Sequence, residues 1–302
     1  MGNSTIKRLL VPLDGSPMSE SVLPVVAQFA GKIHASVTMI HVIETKPPER
    51  IHGQRHLINA KQAEEYLLAI SSSSIFSGIE VHFHIHEAGV RDVSQSIHDH
   101  TEELQQDLVV MCTHGSSGLR GMLFGSIAQQ VISLGKMPVL LVNPTAEDLK
   151  FNFENFLVAL DGNPDHERSL DYASTLASLC KAKIHLLIAI PRHVSMSGEL
   201  TPANRYLPGT TARMMDMLVP DAREYLNRLQ TKIELRGIAV DIRTARNNPE
   251  IAIPRTAKTV KADLIALATH GKRGTAAFWN GSVTPKISKS SKIPLLLVPV
   301  KE

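Results

Sequence analysis

Cysteine is scarce: the 302 residues contain two, Cys112 and Cys180. Two thiols cannot build a disulfide framework, and so low a number fits a reducing cytosol. Charge of one sign is also lacking. Charged residues make up 20% of the chain and the formal net charge is +3, too balanced for a protein that binds nucleic acid over its whole surface. No apolar run approaches the roughly 18 residues of a membrane span. The opening has no basic segment before an apolar one, and Met-Gly-Asn-Ser-Thr-Ile puts Ile6 where a myristoylation signal needs Ser or Thr, so neither leader nor lipid anchor is expected. What is present is apolar material for a large core. Hydrophobic residues are 43% of the chain, which excludes disorder and suits one large core or two ordinary ones. The expectation is a soluble cytoplasmic protein of two domains, with neither nucleic acid nor membrane as a partner.

The chain repeats itself. Arg8-Leu9-Leu10-Val11-Pro12-Leu13-Asp14-Gly15-Ser16-Pro17 is echoed by Phe156-Leu157-Val158-Ala159-Leu160-Asp161-Gly162-Asn163-Pro164, an offset of 147. Asp107-Leu108-Val109-Val110-Met111-Cys112-Thr113-His114-Gly115 is echoed by Asp263-Leu264-Ile265-Ala266-Leu267-Ala268-Thr269-His270-Gly271, an offset of 156. Pro138 to Val142 returns as Pro294 to Val298 at the same 156. Echoes that keep their order mean duplication, and the nine added residues fall best in the polar stretch from Pro191 to Gly209. The repeats meet near Asn143 to Asp148, a short polar linker, which predicts domains over 1–145 and 152–302.

Each repeat alternates short apolar runs with stretches of helical period. In the first, Leu9 to Leu13, Val37 to Ile43, Val81 to Ile85, Leu108 to Cys112 and Val139 to Val142 read as strands, nearly continuous in Val, Ile and Leu as strands buried on both faces are. Ser19 to Lys32, Gln62 to Ile75, Asp92 to Gln105 and Gly125 to Leu134 read as helices. This alternation predicts an α/β fold, each domain a five-stranded, mostly parallel sheet with helices on both faces. Ligands of such sheets bind beyond the carboxyl ends of the strands, where Asp14-Gly15-Ser16 and Thr113-His114-Gly115 recur in both repeats.

After the fourth strand comes a glycine loop: Gly115-Ser116-Ser117-Gly118, then Gly125-Ser126 with nine residues between Gly115 and Gly125, and Gly271-Lys272-Arg273-Gly274, then Gly281-Ser282 at the same spacing. Glycines allow close backbone approach, and a helix start offers free N–H groups to an anion. This is neither a Walker A loop nor Gly-x-Gly-x-x-Gly. Ser126 and Ser282 add a hydroxyl donor or simply cap the helix.

These motifs resemble those of a tandem universal stress protein, a family with the pattern Gly-x2-Gly-x9-Gly-Ser/Thr and an Asp closing the first strand. The resemblance covers nearly the whole chain as two UspA-type domains. It implies Rossmann-like domains of the adenine nucleotide alpha hydrolase type and ATP, with or without Mg²⁺, as ligand. Carried over, Asp14 and Asp161 would meet the adenosine part, and the backbone of Val42 and Ala189 the adenine edge. Gly115, Gly125 and Ser126, with Gly271, Gly281 and Ser282, would cradle phosphates. Pro12, Met111, Cys112, Ile127, Leu267, Ala268 and Val283 complete the expected pocket lining. Cys112 and Ala268 stand where the family has its first glycine. No catalytic residue and no resident metal is assigned.

Charge divides the repeats. Residues 1–150 carry 11 Lys+Arg against 15 Asp+Glu, and residues 151–302 carry 21 against 14. Lys272 and Arg273 lie inside the second glycine loop and Arg120 in the first; they attract a triphosphate or are ordinary solvated charges. Ten of the fourteen histidines fall in the first repeat. His82, His84 and His86 alternate on one strand face, and His98 and His100 lie on the third helix. Hydrogen-bonded surface or interface histidines are the leading reading, a His-rich metal site in domain 1 the lesser one. His114 and His270 shape the loops or act as bases. Cys112 is a small residue ending a buried strand or a redox-sensitive thiol; Cys180 reads as core.

No Gly-x-Ser-x-Gly elbow is present, nor the Ser-Gly-Gly-x-Asp-Ser of the related ATP-pyrophosphatases, nor carboxylates for two Mg²⁺ ions beside the loops. The leading expectation is an ATP-binding regulatory module of stress physiology. A slow ATPase and a nucleotide-free dimerisation scaffold are the alternatives. Family relatives pair through their last strands, so Val139 to Val142 and Leu295 to Val298 are candidates to pair within one chain. That predicts an intrachain pseudo-dimer or a homodimer. The segments Thr45 to Gly53 and Pro191 to Gly209 read as lids, partner surfaces or silent loops.

Overall fold

The computed structural model describes residues 6–45, 50, 51, 54, 55, 57–113, 126–135, 137–143, 151–190, 208–270 and 283–300. The chain divides into two compact units, residues 1–152 with 269–302, and residues 153–268.

In the first unit the strands β1 (Arg8–Pro12), β2 (Ser36–Glu44), β5 (Val81–Val90), β6 (Leu108–Cys112) and β7 (Val139–Val142) lie in the order β7-β6-β1-β2-β5. All neighbours among these five run parallel. A two-residue antiparallel pair, β3 (Arg50–Ile51) with β4 (Gln54–Arg55), stands apart. In the second unit β8 (Asn155–Leu160), β9 (Lys183–Ile190), β10 (Val240–Arg246) and β11 (Leu264–His270) lie in the order β11-β8-β9-β10, parallel where they pair. The closing strand β12 (Leu295–Val300) runs antiparallel to β7, with Leu295 opposite Leu141 and Leu297 opposite Val139. These are the two strands the sequence nominated to pair within one chain. Residues 269–302 therefore group with the first unit although they carry the second repeat's last echo.

Burial explains the strand composition. Five of the seven β2 residues from Val37 to Ile43, and the whole of β7 and β12, are apolar and buried, as strands covered on both faces require. The exception inside β2 is Thr38 with His41, both buried and polar. The edge strands differ. β5 and β10 carry exposed positions and a polar sequence, the usual way of blunting an edge.

Helices α1 (Pro17–Glu20), α2 (Leu23–Ile33), α3 (Ala60–Ser71), α4 (Val93–Glu103) and α5 (Ser126–Ser133) belong to the first repeat. Helices α6 (Arg168–Cys180), α7 (Pro208–Glu234), α8 (Pro249–Thr259) and α9 (Thr284–Ser290) belong to the second. The single helix expected from Ser19 to Lys32 is two, because the chain turns at Ser21 and Val22 and α2 restarts with Pro24 in its first turn. The helix expected over Gln62 to Ile75 starts at the Asn59 cap and stops at Ser71, a 3₁₀ turn following at Ser74–Phe76. Both α2 and α6 bury one face; on α6 it is Leu170, Ala173, Leu176, Ala177 and Cys180.

The backbone repeats as closely as the sequence. The left-handed residues His34, Gln105, Gly15 and Gly78 of the first repeat return as Lys181, Lys261, Gly162 and Gly237 in the second. His34 and Lys181 end α2 and α6, so both helices close on a side-chain-bearing residue where glycine is usual.

Candidate functional site

β1 lies between β2 and β6, and β8 between β9 and β11. Each central strand therefore ends beside its two neighbours, and the loop after it stands at the head of the sheet. Both loops fold alike. Asp14 Oδ1 accepts the Ser16 N–H at 2.9 Å and the Ser16 hydroxyl at 2.6 Å, and Ser16 Oγ accepts the Ser19 N–H at 3.2 Å to cap α1. Asp161 Oδ1 accepts the Asn163 N–H at 3.0 Å, and Asn163 Oδ1 accepts the Asp165 N–H at 3.0 Å to cap the 3₁₀ turn Pro164–Glu167. Each is an Asx turn leading straight into a capped helical turn with proline at its start. The residue between, Gly15 or Gly162, sits at φ +82° or +87°, a conformation that favours glycine. A Cβ on Gly15 would also stand 2.8 Å from the Leu57 side chain.

The aspartates differ in their second oxygen. His166, at the position equivalent to Ser19, donates from Nδ1 to Asp161 Oδ2 at 2.6 Å. Asp161 is exposed and Asp14 half-buried.

Strand register aligns the two sets of strand-end residues one by one. Pro12 lies opposite Ile40, and Ala159 opposite Leu187, so Val42 and Ala189 hold the same place two residues on. Leu9 faces Leu108, and Phe156 faces Leu264, which aligns Met111 and Cys112 with Leu267 and Ala268. Val42, Met111 and Leu267 are buried; Pro12, Cys112, Ala189 and Ala268 are half-buried. Burial first, and then the Asp14 carboxylate, pushes the Cys112 thiol up to about 12. That holds it protonated and argues against a reactive thiolate. Ser126 and Ile127 open α5, and Val283 precedes α9. Gly115, Gly125, Gly271, Gly281 and Ser282 lie outside the described residues, as do His114, Arg120, Lys272, Arg273 and Trp279.

Two features escaped the sequence reading, one beside the turns and one remote from them. Tyr66 of α3 packs against the first turn; its burial, then Glu20 and then Asp14 push its phenol well above the usual tyrosine range. Tyr225 of α7 does the same in the second repeat, raised by burial, Glu167 and then Asp161. Glu20 and Glu167 are themselves 147 apart. The signal was a shared tripeptide, Glu65-Tyr66-Leu67 and Glu224-Tyr225-Leu226. The other feature is a carboxylate clamp at the opposite end of the sheet. Asp107 Oδ2 accepts the N–H groups of Lys7 and Arg8, each at 2.9 Å, and Asp263 Oδ2 accepts those of Glu154 and Asn155 at 2.8 and 3.0 Å.

The histidines correct one expectation. His41, His98 and His100 are buried rather than superficial, because each hangs on an element packed against the core. His41 Nδ1 donates to the Leu13 carbonyl at 2.8 Å, and His100 Nδ1 to the Ser96 carbonyl at 2.7 Å. His84 and His86 do share a face of β5, their rings 4.7 and 5.0 Å from that of His100. Among the described residues no group of three or more His, Cys, Asp or Glu side chains is placed to hold a metal ion.

The model of the universal stress protein family matches residues 5–143 and again residues 152–299. The chain belongs to the universal stress protein family. Among curated relatives, universal stress protein MJ0531 of Methanocaldococcus jannaschii is 30% identical over 146 residues, 47% of this chain and 84% of the relative. Universal stress protein YxiE of Bacillus subtilis is 26% identical over 146 residues, 48% of this chain and 99% of the relative. A solved universal stress protein from Archaeoglobus fulgidus covers 97% of this chain, 98% of its own length, at TM-score 0.67 and 19% identity. A putative one from Pseudomonas aeruginosa covers 98% of this chain and 94% of its own, at TM-score 0.65 and 16% identity. Tandem family domains are thus a known architecture at the level of fold. Among the described residues no helix is long and apolar enough to cross a membrane.

Proposed function

We propose that the protein is a cytoplasmic regulatory module of the stress response that binds an adenine nucleotide, ATP with or without Mg²⁺, at the carboxyl ends of the strands in each repeat. The observation that carries this reading is the duplicated Asp-Gly turn. Asp14 and Asp161 are each fixed by a bond from one carboxylate oxygen to the backbone two residues on. Each stands next to a matched pair of strand ends, Val42 with Met111 and Cys112, and Ala189 with Leu267 and Ala268. A preorganised acceptor beside a half-buried, apolar wall suits a nucleoside, whose hydroxyls donate and whose base stacks on apolar surface. In this reading Pro12 and the backbone of Val42 and Ala189 border the base. The glycine loops with Gly115, Gly125, Ser126, Ile127, Gly271, Gly281, Ser282 and Val283 take the phosphates. Output is a changed conformation or partner affinity, without efficient turnover. The β7–β12 pairing supports an intrachain pseudo-dimer.

Calorimetric titration of ATP into the wild type, Asp14→Ala and Asp161→Ala tests it. Each variant is expected to lose its own site, halving the stoichiometry or weakening one of two affinities by about tenfold, the value of one charge-assisted hydrogen bond. Wild-type protein that takes up no ATP would leave the scaffold reading in its place.

A further inference from the structure

The edge strand of each repeat walls a groove, and several wall positions correspond between the two while their chemistry differs. β5 pairs with β2 so that Ile40 lies opposite His84 and Val42 opposite His86. β10 pairs with β9 so that Leu187 lies opposite Arg243 and Ala189 opposite Ala245. Since Ile40 and Leu187 hold equivalent registers, Arg243 stands where the first repeat has His84, and Ala245 where it has His86. On the helices that follow, the N-caps Asp92 and Asn248 correspond, which sets Thr256 in the place of His100 and Thr259 in that of Glu103.

The first groove, a cavity of about 720 Å³, is lined by the three histidines and by four carboxylates, those of Glu87, Asp92, Asp99 and Glu103. The second, about 590 Å³, has no carboxylate on its walls among the described residues. Arg223 and Asn227 face it from α7, Arg243 and Thr244 from β10, and Thr256 and Thr259 from α8, over an apolar floor that includes Leu187 and Leu226. Neither arginine forms an ion pair among the described residues. The acid on the same strand, Asp241, is paired with Lys183 at 2.7 Å. Two guanidiniums without an ion pair among the described residues line this concave surface together with the hydroxyl-bearing Thr244, Thr256 and Thr259. The Thr259 hydroxyl donates to the Arg255 carbonyl at 3.0 Å, and Arg243 lies near enough to Asp241 to favour its charged form. With the acids of the sister groove replaced, the excess of donors suits an anion.

We propose that the groove between α7, β10 and α8 binds a small phosphate ester. Arg223 and Arg243 present planar forks that match phosphate oxygens, and the Thr244 and Thr256 hydroxyls supply further donors. Leu187 and Leu226 take the apolar part of the ester. The volume is that of a small-molecule site, and its lining shares no residue with the nucleotide pocket proposed above. The groove in the first repeat, with its four carboxylates, repels the same ligand.

The test is a titration of phenyl phosphate into isotopically labelled full-length protein, followed by the backbone amide resonances of Thr244, Ala245, Thr256 and Thr259. Those signals move saturably, with weaker binding for inorganic phosphate, which lacks the apolar part. The double variant Arg223→Gln, Arg243→Gln weakens binding by about tenfold or more. Both arginines are exposed, so this variant keeps the wild-type melting temperature. Shifts that do not saturate, that survive the double variant, or that appear only in the 271–282 loop would overturn the assignment. The last outcome would also locate phosphate binding in the nucleotide pocket, so the two sites are told apart by which amides move.

Discussion

Asp107 and Asp263 show how a single carboxylate can set the register of a sheet. Each accepts two backbone N–H groups at the start of the central strand, and the Asp107 and Asp263 amides bond back to the Arg8 and Asn155 carbonyls at 2.9 and 2.8 Å. Removing either carboxylate strands two amides, so Asp107→Ala and Asp263→Ala should each cost about 1.5–3 kcal/mol, read as a lower urea midpoint; an unchanged midpoint would deny the clamp. The left-handed caps run the other way. Lys181 closes α6 at φ +55°, where a Cβ is strained and glycine is not, so Lys181→Gly should stabilise by about 0.5–1 kcal/mol. Cys112 adds a chemical check: with its thiol held up at about 12, iodoacetamide at pH 8 should label it far more slowly in the folded protein than in urea. Much of this scale was visible in the sequence, since Asp14, Gly15 and Asp161 stood out as an echo at strand ends. The clamp was not, because its partners Lys7 and Arg8 lie about a hundred residues from Asp107 and no local pattern reports such a bond. Tyr66 and Tyr225 were missed for a related reason, three shared letters at an offset that neither main echo uses.

At the scale of elements, continuous apolar runs located the buried strands to within a residue or so, and β6 and β7 have the limits their sequences suggested. The edge strands were harder. β5 continues to Val90, well past the apolar stretch ending at Ile85, because backbone pairing with β2 carries it through a register shift between Val42 and Glu44. Burial of histidines on β5 and β9 makes stability depend on pH. His84 is held below the ordinary value chiefly by burial and next by the charge of His100, and His185 chiefly by burial, against the opposing pull of Asp241. The unfolded chain then binds protons more readily than the folded one. The contribution is full above about pH 6.5, the unfolded value, and is lost as pH falls through the folded values. Denaturation midpoints should therefore drop between pH 7.5 and 5, and His84→Gln should shrink the drop; a midpoint flat across that range would contradict this account.

The whole molecule is one design used twice and then differentiated. Loop turns, left-handed caps, carboxylate clamps and strand register coincide in the two repeats, whereas charge, the edge-groove walls and the partner of the second aspartate oxygen do not. Order of echoes in the chain made the duplication and the fold class legible. What it did not convey is that residues 269–302 group with the first compact unit, since the apolar run of β12 reads in sequence like any buried closing strand. On the proposed function the duplicated Asp turns hold an adenine nucleotide. The most direct measurement is to purify the protein without added nucleotide, denature it, and quantify released adenine nucleotides by chromatography against protein concentration, for the wild type and for Asp14→Ala with Asp161→Ala. Nucleotide is expected in stoichiometric amount from the wild type, or from wild type first incubated with ATP and desalted, and is lost from the double variant. Wild-type protein empty after both preparations, or a double variant that retains its nucleotide, would contradict the proposed function.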